Sequence, residues 1–307
     1  MKHDMTMLSR IWLIAAAMLA IAAPLSGQDA LVPIIQPDLG QVTGIAPAFF
    51  GPNAYDVPEM SDGTTTGTLS ASVAGGYFGG FIVKGSEDHT ADLFAQLNIP
   101  LFTDRVNLKV WMPLSEWWKM SPQVMAARRI NPSLSSGHDI GAAFLCLEVQ
   151  ALKEKPRCPG IVVRAALRTA SEDKAFAAAR SYDAPGYFFD FSVGKLFGPV
   201  RLALSSGFLC WQTDNGRQND AIMFGILAKY SNPYANVSAQ YGGYWGWERY
   251  GDFPRVVKTR IDICPKWLVH PWLTFQYGFH DWPFYGIRAG IQVDFSLIGE
   301  KGPCKYL

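Results

Sequence analysis

The chain reads as an all-β protein, a closed antiparallel transmembrane β-barrel of about twelve strands, and three observations predict it. Hydrophobic residues make up 49% of the 307 and charged residues only 17%, against about 25% charged in soluble domains. Beyond the N-terminus, however, no apolar run approaches the roughly 20 residues of a spanning helix. From Gly67 onward the apolar residues instead alternate with polar or small ones, which is the period of a strand with two unlike faces. Most alternating segments are also longer than the five or six residues usual in soluble strands, and fit the about 9–11 of a tilted membrane strand.

The elements follow in chain order. Ile11–Leu25 is an apolar run preceded by Lys2 and Arg10 and broken by Pro24-Leu25-Ser26-Gly27. That layout predicts a signal peptide over 1–27, removed before Gln28 during export. Residues 28–66 lack alternation, carry Pro33, Pro37, Pro47, Pro52 and Pro58, and end in the turn-like Ser61-Asp62-Gly63. This non-barrel segment is expected either to extend into the periplasm or to fold into the lumen as a plug.

The barrel is expected over 67–297, with strands near 67–83, 91–101, 105–117, 138–152, 160–170, 186–196, 200–212, 220–230, 235–248, 256–264, 271–280 and 285–297. The last strand shows the pattern best, with Ile287, Ala289, Ile291, Val293 and Phe295 on one face and Arg288, Gly290, Gln292 and Asp294 on the other. Residues 298–307 are left as a periplasmic tail. The longest connections, Trp118–Gly137 and Ser171–Pro185, fall at the same end, which is the expected outer end of such a barrel. Trp117, Trp118, Tyr187, Trp211, Trp245, Trp247 and Trp282 near that end, with Trp267 and Trp272 at the other, predict aromatic girdles at the two headgroup zones.

Strand parity then predicts what faces inward. Lys109, Arg164, Arg168, Arg201, Lys229, Lys258, Arg260 and Arg288 share the lumen with Asp92, Glu148, Asp190, Glu248, Asp262 and Asp294. The near balance allows two arrangements: a salt-bridge network filling a narrow barrel, or a water-filled pore lined by both signs. A net charge of +1 excludes a nucleic-acid binder. The five cysteines show no C-x-x-C spacing and no accompanying His set, so no metal or other cofactor is expected.

Residues 288–295, RAGIQVDF, are similar to the C-terminal assembly signal of outer-membrane β-barrels, with Arg288, Gly290, Val293 and Phe295 at its marked positions. Here Ser296–Leu307 follow Phe295, where the family pattern has the chain end. More broadly, FFGPNAYDVPEMSDG (49–63), YDAPGYFFDFSVGK (182–195), GFLCWQTDNGRQND (207–220) and YGGYWGWERYGD (241–252) resemble segments of uncharacterised outer-membrane β-barrel proteins of the Bacteroidota. The resemblance implies the fold, a Gram-negative outer-membrane location, contact with its lipid, and handling by barrel-assembly machinery. It implies no catalytic residue.

Three functions follow in order. A passive narrow channel for small solutes stands first. A non-conducting scaffold of an outer-membrane or secretion complex is the alternative. A lipid-modifying enzyme is third, because the H-x-S-N-G signature of outer-membrane phospholipase is absent and parity points His138 inward beside Glu148 and Gln150.

Overall fold

The computed structural model describes residues 53, 56–80, 87–101, 104–128, 131–173, 177, 180, 185–214, 217–246, 253–281 and 283–295; the side chains of 127–128, 211–214, 217–219 and 279 are not among them. The expected signal peptide and the tail from 298 lie outside this set.

Thirteen strands form one antiparallel sheet that closes on itself. They are β1 (Ser70–Gly80), β2 (Asp88–Pro100), β3 (Val106–Met120), β4 (Ser136–Asp139), β5 (Phe144–Leu152), β6 (Gly160–Arg168), β7 (Gly186–Phe197), β8 (Val200–Asp214), β9 (Arg217–Ser231), β10 (Ala235–Gly246), β11 (Arg255–Ile263), β12 (Val269–His280) and β13 (Phe284–Asp294). Pairing of β1 with both β2 and β13 completes the ring. Twelve strands make the wall, and β4 is a short flap on the upper half of β3. Closure has a physical cause: a backbone N–H or C=O left unpaired in hydrocarbon costs several kcal/mol, so a membrane sheet has no edge.

Burial is inverted relative to a soluble protein. Outward Phe189, Leu204, Ile226 and Ile291 are 53%, 60%, 54% and 53% exposed, while inward Asn107, Glu148, Arg164, Asp190 and Lys258 are buried. An apolar outer band around a polar interior is what a lipid solvent selects.

The strands agree with the sequence pattern except at one place. The segment expected as a single strand over 138–152 is two, β4 and β5, with 140–143 out of the ladder. Its cause lies in β3. Pairing with β2 runs Asp92↔Glu116 and Leu93↔Ser115, then jumps to Phe94↔Pro113, so Leu114 is bulged out. Pro113 has no N–H to give and sits where a strand tolerates proline, beside a bulge. Opposite it, the out-of-ladder segment before β5 is tied to β3 by the bond from the Gly141 N–H to the Pro113 carbonyl, at 3.1 Å. Because side chains alternate with period two, one extra residue reverses every face beyond it. Below the bulge Asn107 and Lys109 face inward; above it Glu116, Trp118 and Met120 do.

A seven-residue helix α1 (Pro122–Arg128) and a 3-10 turn (Pro132–Leu134) lie in the connection between β3 and β4. There Trp118, Met120, Val124 and Met125 form a small apolar cluster, and the Trp118 indole donates to the Leu134 carbonyl at 3.1 Å.

Candidate functional site: the lumen

Residues 56–65 run along the interior from the level of Lys258 on β11 to the foot of β5. The segment cannot form a strand of its own, because it lacks alternation and Pro58 has no donor. The wall satisfies its backbone instead. Gln240 on β10 accepts from the Met60 N–H at 2.8 Å and donates to the Pro58 carbonyl at 3.0 Å. Gln150 on β5 accepts from the Thr65 N–H at 2.7 Å and donates to the Gly63 carbonyl at 2.9 Å. Arg164 on β6 donates to the Glu59 carbonyl at 2.7 Å. Charges add to this: Lys258 meets Asp56 at 2.6 Å and Lys229 on β9 meets Asp62 at 2.9 Å.

The segment turns at Asp62, whose side chain accepts from the Thr64 N–H at 3.1 Å. Gly63 follows with φ +83°, a conformation L side chains rarely adopt. It presses against glycines of the wall: a Cβ on Gly194 would lie 1.9 Å from the Asp62 carbonyl oxygen. Backbone-to-backbone approach of this kind needs glycine on the wall.

Above this lies a row of charges across three strands. Glu148, Arg164 and Asp190 are direct cross-strand neighbours on β5, β6 and β7. Arg164 forks onto Asp190, with Nε to Oδ1 at 2.8 Å and a second, shorter bond to Oδ2. Lys109 reaches Glu148 at 2.8 Å. On β13, Arg288 bonds Asp92 and donates to the Asn53 side-chain oxygen Oδ1 at 2.9 Å. Near the long-connection end, Arg180 is wholly buried. It bonds Asp88 and Glu116, each at 2.9 Å, and stacks over Trp118. Asn53 donates to both Asp92 and Glu116, at 2.8 and 2.6 Å.

The pairs are not symmetric toward the lumen. The Lys109 side chain is 31% exposed against 4% for Glu148, and that of Arg288 17% against 0% for Asp92. Lys258 and Asp56 reverse the order, at 8% and 24%. A chamber of about 170 Å³ remains beside the segment, lined by six basic side chains and only two acidic ones, Asp56 and Glu59. At the short-connection end, outside the spanning strands, Glu154 accepts from the Leu196 N–H at 3.0 Å and from Arg201 at 2.7 Å. The Leu196 N–H first, then Arg201 and Lys195, hold its carboxyl below the ordinary range.

The remaining residues read from the sequence fall as follows. Arg168 bonds Glu172 at 2.9 Å, Arg260 bonds Asp262 at 2.8 Å, and Asp294 accepts from Gln292 at 2.8 Å. Glu248 lies outside the described residues. Trp117, Trp245 and Trp267 are 46%, 62% and 51% exposed, and Tyr187 packs edge-on against outward Phe189. Trp118 and Trp272 do not join a girdle: both are buried and face inward, Trp118 because of the Leu114 bulge. Trp272 follows the parity of β12 and bonds Ser72 at 3.0 Å. The Trp211 side chain, Trp247 and Trp282 lie outside the described residues. Gly290 and Val293 pair with Ala74 and Ala71 on β1, and outward Phe295 donates its N–H to the Leu69 carbonyl.

His138 also departs from parity. It pairs with outward Trp117 and is exposed, because 140–143 interrupt the alternation between it and Glu148. A His-centred chain exists elsewhere, where the Tyr77 hydroxyl meets His89 Nδ1 at 2.6 Å and Glu87 meets Nε2. It holds no serine.

The strand pattern missed Asn53, Asp56, Asp62, Glu116 and Arg180. One signal pointed to Asp56 and Asp62: inward Lys and Arg outnumber inward Asp and Glu on the strands, which leaves cations for acids from another segment.

No family model matches the chain, and no curated protein matches it in sequence. Among solved structures it is similar to an outer membrane channel from Pseudomonas putida F1, with a TM-score of 0.58 at 10% identity, over 77% of this chain and 99% of that one. The NanC porin gives 0.49 at 11% identity over 73% and 99%. The translocator domain of the autotransporter NalP from Neisseria meningitidis gives 0.46 at 9% over 76% and 90%. The likeness to the Pseudomonas putida channel shows the fold, a closed antiparallel β-barrel of the kind found in outer-membrane proteins.

Proposed function

We propose that the protein is a passive outer-membrane channel of small bore for small solutes, and that residues 56–65 set the bore. The observation that carries this reading is the attachment of that segment to inward side chains of β5, β6, β9, β10 and β11 beside a chamber of about 170 Å³. Twelve strands stand between eight-strand barrels filled by their own side chains and open porins, and a peptide in the lumen supplies the difference. On this reading the chain is exported under residues 1–27 and recognised by barrel-assembly machinery through Arg288, Gly290, Val293 and Phe295. Outer-membrane lipid then surrounds the apolar band.

Single-channel recording in a planar bilayer tests it. The mature chain is expected to give small unitary steps, and a variant lacking residues 53–65 steps several times larger. Silence of both, from folded and monodisperse barrels, overturns the channel. The density of lumenal ion pairs favours one other reading, a non-conducting scaffold of an outer-membrane or secretion complex. That reading gains if both forms are silent and a partner co-purifies in fixed stoichiometry.

A further inference from the structure

We infer that the lumenal chamber is a binding site for a small organic carboxylate, held by a row of Arg260, Thr274 and Arg288. The inference takes from the proposed channel the premise that solutes enter the lumen, and it names the class of solute.

The row is built by register. Arg260 on β11 lies directly across from Thr274 on β12, and Thr274 directly across from Arg288 on β13. Cβ atoms so placed on one face are about 5 Å apart, so Thr274 stands between the bases of the two arginines. All three residues line the chamber. Thr274 is only 9% exposed, and its Oγ1 is buried with no hydrogen-bond partner. Leaving such a hydroxyl unmatched is costly, a deficit that a bound acceptor removes. Arg288 Nε is likewise buried and without a partner.

Both arginines are packed on aromatic rings. Arg260 lies over the Trp272 ring at 4.5 Å, and Arg288 lies over Phe94 at 4.4 Å and Phe78 at 5.0 Å. Packing on a ring orients a guanidinium. Arg260 commits Nε and Nη2 to Asp262 and Gln292, and Arg288 commits Nη2 to Asp92 and Asn53, which leaves Nη1 of each for a planar acceptor. Their own carboxylates do not neutralise the chamber surface evenly. Asp92 has no exposed surface while its partner Arg288 keeps 17%; Arg260 keeps 23% against 17% for its partner Asp262. With six basic side chains lining the chamber against Asp56 and Glu59, the side facing a solute is cationic on balance.

The rest of the wall suits a carbon body. Trp111 and Phe144 stack with centroids 5.0 Å apart and planes 7° apart, and both line the chamber. The volume is about ten times the 10–15 Å³ that one water needs. A cationic, hydroxyl-bearing row facing an aromatic wall matches a single carboxylate on a compact apolar body. It opposes a cation outright, and it leaves Thr274 and the arginines unmatched by a neutral hydrocarbon.

The test is equilibrium dialysis of labelled benzoate against the purified full-length barrel in detergent, with benzyl alcohol and benzylammonium as competitors. The expected result is one benzoate per barrel, displaced by other carboxylates and by neither competitor. Thr274→Val, which keeps the shape and removes the hydroxyl, is expected to weaken binding about tenfold, and Arg260→Gln by more, as for hydrogen bonds to a charged partner. Heat-modifiable migration on gels reports folding; if Arg260→Gln does not fold, Thr274→Val decides. Equal competition by benzyl alcohol, preference for benzylammonium, or unchanged binding in the folded variants overturns the inference. Benzoate binding by a barrel silent in bilayers sinks the channel and leaves the site; conduction without binding does the reverse.

Discussion

Replacing Arg164 with methionine isolates the energetic centre of the lumen. Arg164 is 5% exposed, forks onto Asp190, which is also 5% exposed, and donates to the Glu59 carbonyl. Arg164→Met leaves the Asp190 carboxylate buried without its guanidinium. Removing one partner of a buried ion pair costs about 3–5 kcal/mol, and the lost donor to Glu59 adds about 1 kcal/mol. Glu148 keeps Lys109 at 2.8 Å and contributes little to the loss. Replacing both partners, Arg164→Met with Asp190→Leu, removes the stranded charge, and stability is expected to return to within about 1–2 kcal/mol of the parent. Reversible urea unfolding from lipid vesicles, followed by tryptophan fluorescence, measures both. A single variant that loses less than about 1 kcal/mol, or a double variant as unstable as the single, refutes a buried and mutually dependent pair.

Three further outcomes are expected. Gly194→Val places side-chain atoms where the Asp62 carbonyl sits, at an ideal Cβ distance of 1.9 Å; it should push residues 62–63 off the wall and raise single-channel conductance, and an unchanged conductance counts against their role in the bore. In vesicles of lipids brominated on their tails, Trp117→Phe should lower the quenchable fraction of fluorescence, because Trp117 is 46% exposed. Trp118→Phe, at a site 4% exposed, should leave it unchanged, and the opposite pattern would place the bulge elsewhere. Glu154 has a depressed carboxyl pKa, so its stabilising contribution is present above its unfolded value near 4.5 and fades as pH falls through the lower folded value. Glu154→Gln should therefore be less stable than the parent at pH 7, with the gap closing below about pH 4.5; a gap independent of pH would exclude the ionised carboxylate as its source.

Most of the wall was legible because strand parity is local. Arg164 and Asp190 face the lumen by counting from any apolar neighbour on the same strand, and Glu148 joins them on β5. Counting fails where a residue is inserted. One bulge at Leu114 turned Trp118 inward, and the break opposite it turned His138 outward, although both follow the alternating pattern read without it. A bulge leaves little trace in composition, and Pro113 was its one mark.

By itself the sequence determined a closed antiparallel barrel, the approximate ends of its strands, and an interior that holds charges such as Glu148, Arg164, Asp190 and Lys258. Those properties follow from a two-residue period and from the cost of an unpaired backbone in lipid. Only the tertiary structure decided which charges meet. Asp56 finds Lys258 and Asp62 finds Lys229 across separations of 202 and 167 residues. Arg180 reaches Asp88 and Glu116 from a long connection that carries no strand pattern. Nor does the sequence show that Arg260, Thr274 and Arg288 form one row, since that depends on how β11, β12 and β13 are staggered. Register is a property of the closed ring, set by all twelve strands together.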